Sequence, residues 1–200
     1  MTTPKESLRT QTSDTKISAE AKNQDGSNAK LQKITSNLWF DKQAEDAVKF
    51  YTSIFSQRDG SSKDSGIGKT SRYGKEGFEQ HGMPEGTVMV VEFKLAGQKF
   101  TALNGGPHFK FNEAISFIVN CESQEEVDYY WEKLSEGGDE KAQMCGWLKD
   151  KFGLSWQIIP VVLGKLMSDP DAAKAGRVMN AMLQMKKIII KDLKEASGKK

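Results

Sequence analysis

"NLWFDKQAEDAVKFYTSIF" (residues 37–55) returns 79 positions later as "SFIVNCESQEEVDYYWEKL" (residues 116–134). The offset lays Leu38, Trp39, Phe40 and Asp41 on Phe117, Ile118, Val119 and Asn120. It also lays Val48 on Val127, Phe50 on Tyr129 and Tyr51 on Tyr130. Each copy opens with a short apolar run fit for a strand. A segment with apolar residues at i, i+3, i+4 and i+7 follows. In the first copy these are Ala44, Ala47, Val48, Tyr51, Ile54 and Phe55; in the second, Val127, Tyr130, Trp131 and Leu134. That spacing is one face of an amphipathic helix.

Beyond the first helix, "SQRDGSSKDSG" is a loop by composition, "IGKTSRYG" a strand, and "KEGFEQHGMPEG" a second loop. "VMVVEFKLAGQKFTAL" alternates in two strands joined at Ala96-Gly97. Beyond the second helix, "KAQMCGWLKDKFGLSWQIIP" predicts short strands around a turn. A doubled strand, helix and strands pattern is an α+β fold of two βαβββ modules. Each module exposes an apolar sheet face that its partner must bury. "DPDAAKAGRVMNAMLQM" predicts a C-terminal helix with Asp169 as N-cap and Pro170 in the first turn.

Residues 1–30 hold few large apolar side chains and are expected to be a disordered extension. The division is then 1–30 as extension, 31–168 as the folded domain (modules about 31–108 and 110–162), and 169–200 as C-terminal helices. The chain has 200 residues with 29 basic and 27 acidic side chains. Such a balance lacks the basic stripe of a nucleic-acid binder. No run of about 18 apolar residues spans a membrane. Two cysteines, Cys121 and Cys145, make no disulfide framework and fit a reducing, cytoplasmic setting.

"LWFDKQAEDAVKFYTSIF", "GQKFTALNGGPHFKFNEAISFIVNC", "EEVDYYWEKLSEGG" and "CGWLKDKFGLSWQIIP" together resemble the signature blocks of the PhnB-like branch of the vicinal oxygen chelate superfamily. This superfamily has the glyoxalase and bleomycin-resistance fold. Many members of the branch carry the label 3-demethylubiquinone-9 3-methyltransferase. The resemblance covers about residues 32–190. It implies a curved, cup-like sheet from the two modules, a small-molecule ligand in the cup, and pairing as homodimers. The C-terminal helix, with Val178, Met182, Met185 and Ile189, would serve that pairing or pack on its own sheet.

The resemblance also implies a divalent metal held by His, Glu or Gln on the first and fourth strands of the modules. Here those positions fall near Ser36 or Asn37, near Ile115 or Ser116, in "FTALNGG", and at Gln157. Gln157 alone offers a ligand side chain, and it is a neutral amide. Such a set would hold a transition metal weakly, so no tightly bound metal is expected. The expected cup residues are Asn37, Trp39, Asn104, Trp147, Trp156 and Gln157. The tryptophans fit a pocket wall or the core equally well. Asn104 fits a ligand carbonyl or a cap on the Gly105-Gly106 turn. His108, after "NGGP", is either an acid–base group or a polar loop residue. His81 lies in a Gly-rich loop. Cys145, with no adjacent base, is expected to be a core residue.

Three functions therefore stand: a small-molecule binding protein without a tightly held metal, a metal-dependent isomerase, lyase or dioxygenase, or the methyltransferase of the family label. A nucleotide cradle needs a Gly-rich turn opening a helix, whereas "NGGP" leads to another strand.

Overall fold

Helix-period and strand-period segments sort along the chain as the sequence pattern dictates. The computed structural model describes residues 32–59 and 64–198, and the expected disorder of residues 1–30 lies outside them. The compact unit from Thr35 onward holds both modules and the C-terminal helices. The first module runs β1 (Ser36–Phe40), α1 (Ala44–Asp59), β2 (Gly66–Arg72), α2 (Phe78–His81), β3 (Val88–Leu95) and β4 (Gln98–Asn104). The second runs β5 (Phe117–Cys121), α3 (Gln124–Ser135), β6 (Trp147–Lys149) and β7 (Ser155–Pro160). Three helices close the chain: α4 (Val161–Met167), α5 (Ala172–Leu183) and α6 (Ile190–Gly198).

The four-stranded sheet has the order β1-β4-β3-β2 and the three-stranded sheet the order β5-β7-β6. In both, the first strand of the module pairs in parallel with the last, across the helix: Leu38 opposite Ala102, and Val119 opposite Ile158. The repeat read from the sequence is therefore a repeat of topology. One element differs. The second module has no counterpart of β2, because only residues 136–146 separate α3 from β6, and part of them is a 3-10 turn at Glu140–Ala142. The first module spends residues 60–87 on the same step.

The two sheets and two helices share one core. Val48, Tyr51, Ile54 and Phe55 from α1 and Val127, Tyr130 and Leu134 from α3 are buried with Leu38, Phe93, Phe100, Leu148, Trp156 and Ile158. The Phe55 ring packs tilted against Tyr130 at 5.1 Å, and the Tyr129 hydroxyl donates to the Ile54 carbonyl at 2.8 Å, so the two helices lock together. The hairpin between β3 and β4 turns at Ala96 (φ 45°) and Gly97 (φ 79°). Two left-handed residues in succession suit the right-handed twist of a tight hairpin.

Helix α5 is capped by Asp171, not Asp169. The Asp171 carboxylate accepts from the Ala173 and Lys174 amides, while Asp169 accepts from the Asp171 amide. The expected C-terminal helical region at 169–200 is two helices, α5 and α6, which share a small core with α4: Leu163, Val178, Ile188 and Leu193, flanked by Ile159, Met182 and Met185. Val178, Met182 and Met185 thus pack within the chain. The connection between α5 and α6 docks on the second module. Cys145 and Gly146 donate their amides to the Met185 and Lys186 carbonyls at 2.7 and 2.8 Å. Gln124 accepts from the Ile190 amide and donates to the Ile188 carbonyl.

Candidate functional site

Alternation along β1 sends Leu38 and Phe40 into the core and Asn37 and Trp39 to the opposite, open face. The same alternation in β7 sends Trp156 and Ile158 inward and leaves Gln157 on the far face, beside Trp147 of β6. The open side of the two sheets therefore carries Asn37, Trp39, Trp147 and Gln157. The structure gives the other two expected cup residues different work. Trp156 is 2% exposed, among Tyr51, Phe55 and Phe117. Asn104 is 3% exposed, and its amide is spent within the fold. Its Oδ1 accepts from the Ala44 amide at 2.9 Å, and its Nδ2 donates to the Val88 carbonyl at 3.0 Å. It ties the start of α1 to β3 rather than capping a turn.

The metal positions are engaged with each other. Gln157 donates its amide to Ser116 Oγ at 2.8 Å, and Asn37 Oδ1 accepts from Thr101 Oγ1 at 2.7 Å. Among the described residues no group of three His, Cys, Asp or Glu side chains could hold a metal ion. These amides and hydroxyls do not fit the divalent metal that the resemblance implies.

His108 is exposed, in the stretch between β4 and β5. His81 is half-buried, with its ring 4.4 Å from that of Tyr73. Its Nδ1 accepts from the Met83 amide at 2.9 Å, and Nε2 lies 3.2 Å from the Glu76 carbonyl. A neutral ring protonated on Nε2 satisfies both. Cys145 is a turn residue with φ 51°, and Cys121 is fully buried. Burial, then the negative charge of Glu126, pushes the Cys121 thiol up to about 12.

The cavity that includes an expected residue lies at the C-terminal end of β1. It is a cleft of about 390 Å³ bordered by Trp39, Asp41, Phe109, Phe111, Lys149 and Phe152, with Lys110 also at its edge. The sequence places Trp39 there by allowing its ring to lie over two glycines. A Cβ on Gly105 would meet the indole at 2.2 Å, and the indole N–H donates to the Gly106 carbonyl at 2.9 Å. Phe109 stands edge-on to Trp39 at 4.9 Å and is 66% exposed. Phe111 packs edge-on against Phe40 at 5.2 Å. Lys149 is held by an ion pair with Glu113, and their hydrogen bond lowers the Glu113 carboxyl below its usual range. The signal for Phe109, Phe111 and Asp41 was present in "HFKF" and "LWFD", but neither run has a period that marks a pocket.

Next to the cleft lies a cluster that no sequence pattern announces. Asp150 is buried, and four donors converge on it. The Tyr51 hydroxyl and the Trp156 indole reach Oδ2 at 2.8 Å each; the Phe152 and Leu154 amides reach Oδ1 at 2.8 and 3.0 Å. The carboxyl is raised by burial, with the four bonds pulling against it. Tyr51 is raised well above its usual value by burial and then by the Asp150 charge. The cluster pins α1 of the first module to the closing hairpin of the second.

The profile of the 3-demethylubiquinone-9 3-methyltransferase family matches residues 32–159. The chain belongs to this PhnB-like family. The PhnB protein of Bacillus cereus is 36% identical, with a TM-score of 0.52; the alignment covers 65% of this chain and all of that one. A Staphylococcus aureus protein is 31% identical over 64% of this chain and 96% of its own, with a TM-score of 0.27. A Pseudomonas aeruginosa protein is 18% identical over 66% and 98%, with a TM-score of 0.48. No curated protein matches. Helices α4, α5 and α6 lie beyond the family match.

Proposed function

We propose that the chain is a PhnB-like small-molecule binding protein whose ligand enters the aromatic cleft at the end of β1, without a tightly bound metal. The cleft itself carries this reading. Its volume falls in the range of small-molecule sites, and its walls combine the aromatic rings with the polar side chains of Asp41, Gln43, Lys110 and Lys149. The two-thirds exposure of Phe109 at its edge is an aromatic surface that a ligand would cover. Calorimetry with 2-naphthalenemethanol tests the reading. Trp39→Ala and Phe109→Ala should each weaken binding by roughly tenfold, the scale of losing one buried aromatic contact. Trp147→Ala should leave it unchanged. If Trp147→Ala alone weakened binding, the site would lie on the open face of the second sheet instead.

The family description favours a second reading, methyl transfer. Against it, residues 105–116 after β4 contain no helix, so no helix N-terminus follows the Gly-rich turn to receive a nucleotide. Calorimetry with S-adenosylmethionine separates the two: micromolar binding would establish the second reading, and no heat at millimolar ligand would remove it. Pairing as a homodimer belongs to the same proposal. Exposed Ile67 on β2 and Ile118 on β5 supply apolar surface for it. Light scattering on the purified chain would read the mass directly. A cytoplasmic setting is also part of the proposal; both cysteines are free, and no helix among the described residues is long and apolar enough to cross a membrane.

A further inference from the structure

We infer that the ligand of the cleft is a flat, largely apolar molecule carrying an ammonium or N–H group, received by the Asp41 carboxylate. The inference rests on the proposal that the cleft is a binding site. Asp41 borders the cleft, yet its side chain has no hydrogen-bond or ion-pair partner among the described residues. The residue is half-buried, so its carboxylate is partly drawn from water with no partner of its own, and a donor from the ligand would supply one.

This chain shows the contrast itself. Buried Asp150 meets four donors. The cations near Asp41 do not serve it: Lys149 is paired with Glu113, and Lys110 is an exposed side chain at the rim. The aromatic faces beside Asp41 add a second attraction for a cation, since their ring quadrupoles are negative above the plane. An anion would meet the Asp41 charge instead. The chain's net charge of +2 gives no general preference for cations, so a cation preference would come from the site.

The test uses three naphthalenes of one shape: 2-(aminomethyl)naphthalene as the ammonium, 2-naphthalenemethanol as the neutral analogue, and 2-naphthoate as the anion. Calorimetry at pH 7 on the full chain should show the ammonium binding roughly tenfold or more tighter than the naphthoate, the scale of one charge-assisted hydrogen bond. Asp41→Asn should remove the ammonium's advantage over the alcohol, both measured in that variant. Asp41→Glu should keep the order. The comparison within the unsubstituted protein stands even if a variant folds poorly. Equal affinity for ammonium and naphthoate, or an ammonium preference that survives in Asp41→Asn, overturns this inference while the cleft proposal stands. Failure of all three probes to bind overturns both.

Discussion

A single carboxylate shows how one side chain joins the two modules. Asp150 accepts from a tyrosine of α1, a tryptophan of β7 and two amides of its own turn. Tyr51→Phe removes one donor and should cost about 1–2 kcal/mol in urea unfolding. Asp150→Ala leaves Tyr51 and Trp156 with unmet donors and should cost about 3 kcal/mol or more. The pH dependence has a definite sign. Burial raises the Asp150 carboxyl above its usual value near 3.8 in the folded state. The native chain therefore holds the proton more tightly than the unfolded chain, and this contribution is lost as pH rises from about 3.8 through the raised value. The stability difference between the protein and Asp150→Asn should shrink over that window. A difference that grew with pH would contradict the assignment. The two cysteines differ in access. A thiol lifted to about 12 is almost wholly protonated at pH 8. A disulfide reagent should therefore label the half-buried Cys145 first, and Cys121 only after denaturation.

Among the elements, legibility followed periodicity. Helices α1 and α3 and strands β3 and β4 were plain in the sequence, because a buried face repeats at 3.6 or 2 residues. The short helices were not. Four residues at Phe78–His81, bounded by left-handed Gly77 and Gly82, give no periodic signal, and their glycines point to a loop. Helix α4 follows Pro160 directly and, at seven residues, stays unassigned between the closing strand and the C-terminal helix. The missing counterpart of β2 is masked by the repeat, because the second copy is read on the pattern of the first. Asn37, Trp39, Trp147 and Gln157, expected from the resemblance, stand on the open face, whereas strand alternation sends Asn104 and Trp156 into the core. Asp41 and Asp150 escaped notice because a lone acid in a turn carries no pattern; only the partners brought by folding, or their absence, distinguish the two. The C-terminal helices make their own prediction. Ile188 is fully buried in their core and against the turn at Gly146. Ile188→Ala should cost about 2–4 kcal/mol by chemical denaturation. A change within experimental error would mean that the extension does not dock on the second module.

For the whole molecule, the proposed site lies at the seam where β1 ends and residues 107–111 cross to the second module. Both modules contribute: Trp39 and Asp41 from the first, Lys149 and Phe152 from the second. The Asp150 cluster sets the geometry, since Phe152 follows it by two residues and packs edge-on to Phe50 and Tyr51 at 5.7 and 5.9 Å. Both modules are needed to form the cleft. The most direct measurement is a ¹H–¹⁵N spectrum of the tryptophan indoles, assigned by single substitutions and recorded while 2-(aminomethyl)naphthalene is added. The four tryptophans occupy four different environments: Trp39 at the cleft, Trp131 on α3, Trp147 on the open face of β6, and Trp156 in the core. With the ligand in the cleft, the Trp39 signal moves with saturation, while those of Trp131, Trp147 and Trp156 stay in place. A saturating shift at Trp147 with Trp39 unmoved, or no indole shift at millimolar probe, would contradict a binding site at the end of β1.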